Sequence, residues 1–305
     1  MKKLLITGIS GGQGRLLAKR LAESWRIIGV DRIPWEGAPE YIDVRRMDLR
    51  KKRFENVLRV ERPDAVVHLA FVRHFRGGTQ LRHEVNVEGT RRLLDLCAQY
   101  GVKQLVILSS SYVYGAFANN PMYMDEDCSL NVSRNFPEMR DLAEVEGLVS
   151  TFLWRYPDIA TSILRPVNTL GYYVHSAIGG YLKLDLVPTV SGFNPMMQFI
   201  HEEDVAEALT LAVKRELRGV YNVVGPGAVP LKTAIHAIGK RRLSVPEPVA
   251  HLLIQELFRF RIYQFPPDAV GFIKYPCTVD GSRFVEATGF QPLFSLEDIF
   301  ASVAG

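Results

Sequence analysis

The chain has 305 residues, 47% of them hydrophobic and 23% charged, which is the composition of an ordinary soluble globular protein with one large domain, or one large and one small. A net charge of +4, from 37 basic and 33 acidic residues, is too small and too dispersed to argue for a nucleic-acid partner. The densest basic run, Arg45, Arg46 and Arg50 to Arg53, reads as a solvated loop and helix start.

Near the N-terminus, "KLLIT" (Lys3–Thr7) has the form of a short buried strand and "GRLLAKRLAES" (Gly14–Ser24) that of an amphipathic helix. The apolar run that begins the chain stops at Gly8, too early for the core of a signal peptide. A second strand, "RIIGVD" (Arg26–Asp31), follows. "DAVVHLAFV" (Asp64–Val72) is apolar throughout, as expected of a strand covered on both faces. "NVEGTRRLLDLCAQYG" (Asn86–Gly101) is helical and ends at a glycine, and "KQLVILSSS" (Lys103–Ser111) is the next strand. This alternation predicts an α/β, Rossmann-type doubly wound parallel sheet. Beyond Pro166 the rhythm loosens. The expected division is a dinucleotide-binding domain over 1–165, with 198–224 returning to it, and a small irregular C-terminal substrate region over 166–197 and 225–305. Helices are expected at Glu202–Val213 and within Pro246–Pro267; the latter reads either as core-facing or as an apolar lid or membrane-surface face. No stretch approaches the length of a transmembrane helix. Cys97, Cys128 and Cys277 are widely spaced and form no metal-ligand pattern, so they read as reduced thiols in a cytoplasmic protein.

The chemistry begins at "TGISGGQG" (Thr7–Gly14), directly after the first strand and before the first helix. Gly8 permits a tight turn, Gly11 lets the backbone approach a diphosphate, and Gly14 lets helix and strand pack closely. Gly12 and Gln13 open the helix, whose free amides and positive end favour phosphate. Asp31, ending the second strand, is placed to accept hydrogen bonds from an adenosine ribose, which favours NAD. Arg32 beside it keeps NADP as the alternative, because an arginine there can accept a 2′-phosphate.

Together with "MDLR", "VVHLAF", "VNVEGTRRLLDLC", "SSSYVYG", "LRPVNTLG", "FIHEEDVAEA" and the tail "VDGSRFVEATGFQP", these residues resemble the extended short-chain dehydrogenase/reductases of the NAD-dependent epimerase/dehydratase family. The resemblance implies that Asp48 and Leu49 border the adenine and that Leu69, Ala70 and Phe71 line the cofactor cleft. It implies that Asn86 ties two strands together near the nicotinamide, and that Ser109 serves the cofactor pocket. Ser110, three residues before Val113, takes the place of the catalytic serine or threonine, and Asn168 approaches a substrate phosphate or sugar. His201 reads as a buried structural histidine. The resemblance also implies a homodimer built on the helices at Asn86–Tyr100 and Glu138–Phe152.

Two features depart from the family's pattern. Its catalytic tyrosine and lysine share one helix face at YxxxK spacing, but no tyrosine here is followed by a lysine four residues on. Alignment on "LAEVEGLV" puts Glu138 at the tyrosine and Leu142 at the lysine, which leaves Glu138, Tyr112 or a substrate group to move the proton; Arg140 nearby reads as a solvent residue. Before "FIHEEDVA", Met197 stands where sugar-nucleotide epimerases carry a phosphate-clamping arginine, with Gln198 beside it, so a UDP-sugar substrate is disfavoured. Three readings follow: an oxidoreductase or epimerase with an altered acid/base group acting on a hydroxyl or carbonyl of a sugar-nucleotide-like or more apolar small-molecule substrate, a non-catalytic NAD-binding sensor or scaffold, and an atypical member with unrelated chemistry on a hydrophobic substrate.

Overall fold

A computed structural model describes residues 1–72, 79–136, 139–260 and 267–304. Seven strands form the large sheet: β1 (Lys3–Thr7), β2 (Arg26–Asp31), β3 (Asp43–Arg46), β4 (Ala65–His68), β5 (Gln104–Leu108), β6 (Ala160–Pro166) and, later in the chain, Gly219–Val223. Their order is Gly219–Val223, β6, β5, β4, β1, β2, β3, and every neighbouring pair is parallel. Strands β1, β4, β5 and most of β2 and β6 are buried, as a sheet covered on both faces requires. Helices Gly12–Leu21 and Glu202–Lys214 pack together on one face, where Leu17, Leu21, Val205 and Leu209 share one apolar cluster. Helices Lys52–Glu61, Gly89–Gln99 and Arg140–Arg155 contribute Phe54, Leu93 and Val149 to the cluster on the other.

The chain winds outward from β1 in both directions, so the order reverses between β1 and β4. Loops leaving two adjacent strands diverge there and open a crevice at their carboxyl ends, the usual ligand position in such sheets. His68 pairs with Thr7 across this point.

Three elements are shorter or differently wound than the sequence pattern predicts. β4 ends at His68 because the chain turns there, Phe71 N–H donating to the carbonyl of Leu69. The helix expected from Asn86 opens with a π-helical turn, Glu84–Glu88, before its regular part, Gly89–Gln99. β5 ends at Leu108, and Ser110 caps a 3₁₀ turn over Ser111–Tyr114.

Downstream lie two small sheets. β7 (Asn168–Leu170), β9 (Met196–His201) and β11 (Ala228–Pro230) form one; β8 (Leu186–Val190) and β12 (Arg241–Val245) form the other, with the Gly219–Val223 strand counted as β10. Their core is a separate apolar cluster that includes Tyr181, Val187, Met197, Phe199 and Ile235. Helix Glu247–Arg259 buries Ala250 and Ile254 into it and exposes Val249 and Leu252. Among the described residues no helix is long and apolar enough to cross a membrane.

Candidate active site

The turn after β1 is built on glycine because nothing larger fits. Gly8 adopts φ +76°, and a Cβ there would lie 2.7 Å from the Ala70 nitrogen and the Leu69 carbonyl carbon, at the end of β4. A Cβ on Gly14 would lie 2.6 Å from the Gly8 oxygen and the Ile9 Cα, so this glycine sets the close approach of helix to strand. Gly11 N–H donates to the Gly8 carbonyl at 3.1 Å, closing the turn. Helix Gly12–Leu21 then begins with no side-chain cap, which leaves its opening amides for an anion. These features fit a dinucleotide diphosphate. Gln13 is buried: its amide nitrogen donates to the Glu202 carbonyl at 3.0 Å, and its oxygen has no hydrogen-bond partner.

Asp31 ends β2 beside this turn. One carboxylate oxygen accepts from Ser10 N–H and the other from Ile33 N–H, both at 3.0 Å. The carboxylate is thereby held at the crevice rim with acceptor capacity to spare, as a ribose diol requires. Arg32 turns toward Asp48, with its Nε 3.7 Å away. Asp48 is itself gripped by Arg50, whose Nε and Nη2 donate to it at 3.1 and 2.8 Å; this bond holds the Asp48 carboxyl below the usual carboxylate range. The Asp48 side chain is thus committed to Arg50, while Leu49 beside it is buried in the core.

On the far side of the crevice, Leu69 is buried and Ala70 and Phe71 are half-buried. The Phe71 ring lies 4.5 Å from that of His68. Asn86 is a correction to the sequence reading. It joins a helix to a loop rather than two strands: its oxygen accepts from Val72 N–H at 2.8 Å and its nitrogen donates to the Val72 carbonyl at 3.1 Å.

The serines ending β5 separate in role. Ser109 points inward and donates to Glu146 at 2.5 Å. Its hydroxyl is therefore used in the interior, not in the cofactor pocket as the sequence reading has it. Glu146 is fully buried and takes a double hydrogen bond from Arg165, which also donates to the Tyr114 hydroxyl at 2.6 Å. Ser110 is half-buried, and its oxygen accepts from Tyr112 N–H at 3.3 Å. Ser111 is buried, and its carbonyl accepts from the Cys277 thiol. The Tyr112 hydroxyl donates to Asn168 at 2.7 Å, and the Asn168 nitrogen donates to the Gln198 carbonyl at 2.8 Å. Burial pushes the Tyr112 phenol above its ordinary range, so it is a neutral donor. Met197 and Leu142 both pack into the apolar cluster behind Tyr112. Glu138 lies outside the described residues.

Three groups escaped the sequence reading. His68 is fully buried between Thr7 (2.6 Å) and Thr90 (3.0 Å), and desolvation lowers its pKa to about 3, so it stays neutral. The Glu146–Arg165 pair had one usable signal: an arginine inside the apolar stretch "SILRPV" needs a buried partner. Glu202 had no such signal. Its buried carboxylate accepts from the successive amides of Tyr172, Tyr173 and Val174 at 2.7–3.0 Å. That anchors a strap whose Tyr173 carbonyl stands 2.5 Å from where a Gly12 Cβ would be. His201 is buried, as expected; it caps helix Glu202–Lys214 and stacks on Phe294 at 3.8 Å.

Residues 4–224 match the model of the NAD dependent epimerase/dehydratase family. An uncharacterized protein of Mycobacterium tuberculosis is 31% identical over 317 residues, covering 98% of this chain and 82% of its own. UDP-glucose 4-epimerase 2 of Oryza sativa is 30% identical over 157 residues, 50% of this chain and 36% of its own. Among solved structures, Thermus thermophilus UDP-glucose 4-epimerase in complex with NAD superposes with a TM-score of 0.77 at 23% identity, covering 99% of this chain and 97% of that one. MoeE5 in complex with UDP-glucuronic acid and NAD does so with the same TM-score at 22% identity, with the same coverage. At these identities the two superpositions speak for the fold.

Proposed function

Since the chain belongs to the NAD dependent epimerase/dehydratase family, we propose that it is an NAD-dependent oxidoreductase or epimerase acting on a hydroxyl or carbonyl carbon with an altered acid/base group. One observation carries the reading: the uncapped helix opening beside Asp31 and the Ser110 hydroxyl lie at the carboxyl ends of β1 and β5, the two neighbours of β4 in the same parallel sheet. The opening amides of Gly12 and Gln13 would hold the diphosphate and Asp31 the adenosine ribose. NAD bound there would supply the hydride acceptor for oxidation of an alcohol to a ketone, the hydroxyl proton passing to a side chain or water.

The side chains orient the substrate around that chemistry. Ser110 Oγ already accepts from Tyr112 N–H, so its own proton is free to point at a substrate oxygen. The neutral Tyr112 phenol donates to Asn168 and so keeps the Asn168 amide facing one way. Glu138, Tyr112 or a group of the substrate moves the proton in this reading, and the loss of a positioned acid or base costs about 10²–10⁴ in rate.

A second reading, a non-catalytic NAD-binding sensor or scaffold, draws on Leu142, an apolar side chain packed against both apolar clusters where the resemblance assigns the lysine. Calorimetric titration with NAD and NADP tests the shared premise. NAD is expected to bind tighter than NADP, because Asp31 repels a 2′-phosphate and Arg32 is turned to Asp48. Absence of binding by either nucleotide sinks both readings.

A further inference from the structure

We infer that Tyr173 is a binding residue for the cofactor's diphosphate, its phenol adding a side-chain donor to the amides of the helix opening; this rests on the NAD-binding reading and adds one residue to that site.

The strap that carries Tyr173 is fixed by its backbone. The buried Glu202 carboxylate accepts from the Tyr172, Tyr173 and Val174 amides at 2.7–3.0 Å, so the strap cannot swing away without leaving those amides unpaired. Gln13 ties the same corner together, its amide nitrogen donating to the Glu202 backbone carbonyl at 3.0 Å. The Tyr173 Cβ lies 3.1 Å, and its carbonyl oxygen 2.5 Å, from where a Cβ on Gly12 would be. Gly12 is the first residue of its helix. The Tyr173 side chain therefore leaves the main chain beside the amides that a diphosphate would take.

The anchored backbone contrasts with the side chain it presents. Tyr173 is 61% exposed, although a buried carboxylate holds its amide. A tyrosine offers an apolar ring and one O–H donor, which suits an anionic group at the edge of a crevice. The turn itself has few side-chain donors to give. The Ser10 hydroxyl donates to the Ile33 carbonyl at 2.7 Å, and the Gln13 amide is used on Glu202. Arg15 Nε donates to the Ser10 carbonyl at 2.8 Å, and its guanidinium lies over the Trp35 ring. Hydrogen bonds to charged groups are among the stronger ones, so the phenol contributes about tenfold in affinity.

The test is calorimetric titration of wild-type protein, Tyr173→Phe and Tyr173→Ala with two ligands: NAD, and ADP-ribose, which keeps the diphosphate and lacks the nicotinamide. Both variants are expected to bind both ligands about tenfold more weakly. Their thermal midpoints are expected to match wild type, because only an exposed side chain is changed. Undiminished binding by Tyr173→Phe overturns the inference, since the hydroxyl then contributes nothing. A loss confined to NAD overturns it as well, since the contact then belongs to the nicotinamide, and so does a lowered midpoint in Tyr173→Phe, which would trace the loss to the strap. Failure of the premise is distinct, because wild-type protein then binds neither ligand.

Discussion

Ser110 and His68 show how one residue type takes its meaning from its surroundings. Three serines in a row end β5, yet only Ser110 keeps a hydroxyl for the crevice, since Ser109 is spent on Glu146 and Ser111 is buried. Ser110→Ala is therefore expected to leave NAD affinity unchanged and lower turnover about 10²-fold or more; equal turnover in a steady-state assay would remove Ser110 from the mechanism. His68 makes a stability prediction. Its pKa falls from 6.5 to about 3 on folding, because burial disfavours the charged ring. Below pH 6.5 the unfolded chain takes up a proton that the native state refuses. Stability supplied by the neutral ring is thus complete above that pH and declines by up to about 1.4 kcal/mol per pH unit toward pH 3. Replacing His68 by Gln should flatten that part of the urea-denaturation profile, and an unchanged slope would contradict the assignment.

At the scale of elements, internal hydrogen bonds hold the described segments around the crevice. Glu202, the first residue of its helix, holds three consecutive amides of the Tyr172–Val174 strap, and Gly171 must be glycine because a side chain there would overlap that carboxylate. Glu202→Ala removes the acceptor of those three part-buried amides and is expected to cost about 1–3 kcal/mol, read as a lowered denaturation midpoint. Because the strap lies against Gly12, the same variant should also weaken NAD binding; a loss of stability with cofactor affinity intact would show that the strap has no part in the nucleotide site. The shortness of β4 has a similar origin. The apolar pattern of "DAVVHLAFV" predicts a long strand, but Ala70 to Val72 leave the ladder and Asn86 clamps the Val72 backbone. Hydrophobic periodicity reports burial, and here Leu69 is buried with its N–H still donating to the Thr7 carbonyl, while Ala70 to Val72 are half-buried outside the ladder.

For the whole molecule, the seven parallel strands and their order place the nucleotide turn, Asp31 and Ser110 along one edge of one sheet. The helices Gly89–Gln99 and Arg140–Arg155 lie together on the outer layer, with Arg91, Asp95, Gly147, Thr151 and Trp154 facing outward. We propose that two copies pair through these helices. Sedimentation equilibrium is expected to give twice the 34.4 kDa chain mass, and Thr151→Arg, which puts a bulky charge in the middle of that face, is expected to return the protein to a single copy. A wild-type protein that sediments at the chain mass would remove the dimer.

The sequence by itself determined the alternation of elements, the glycine turn and the acid that follows it, because these depend on local backbone sterics and on periodicity. It also shows that no tyrosine is followed by a lysine four residues on, since spacing is a property of sequence. Only the tertiary structure decided which polar groups remain free. Ser109 turned to Glu146 and Asn168 to Tyr112 and Gln198 through contacts between residues far apart in the chain. A side chain's hydrogen-bonding capacity is fixed by its chemistry, but the partner that consumes it is set by packing, and packing is settled only when the whole chain closes on itself.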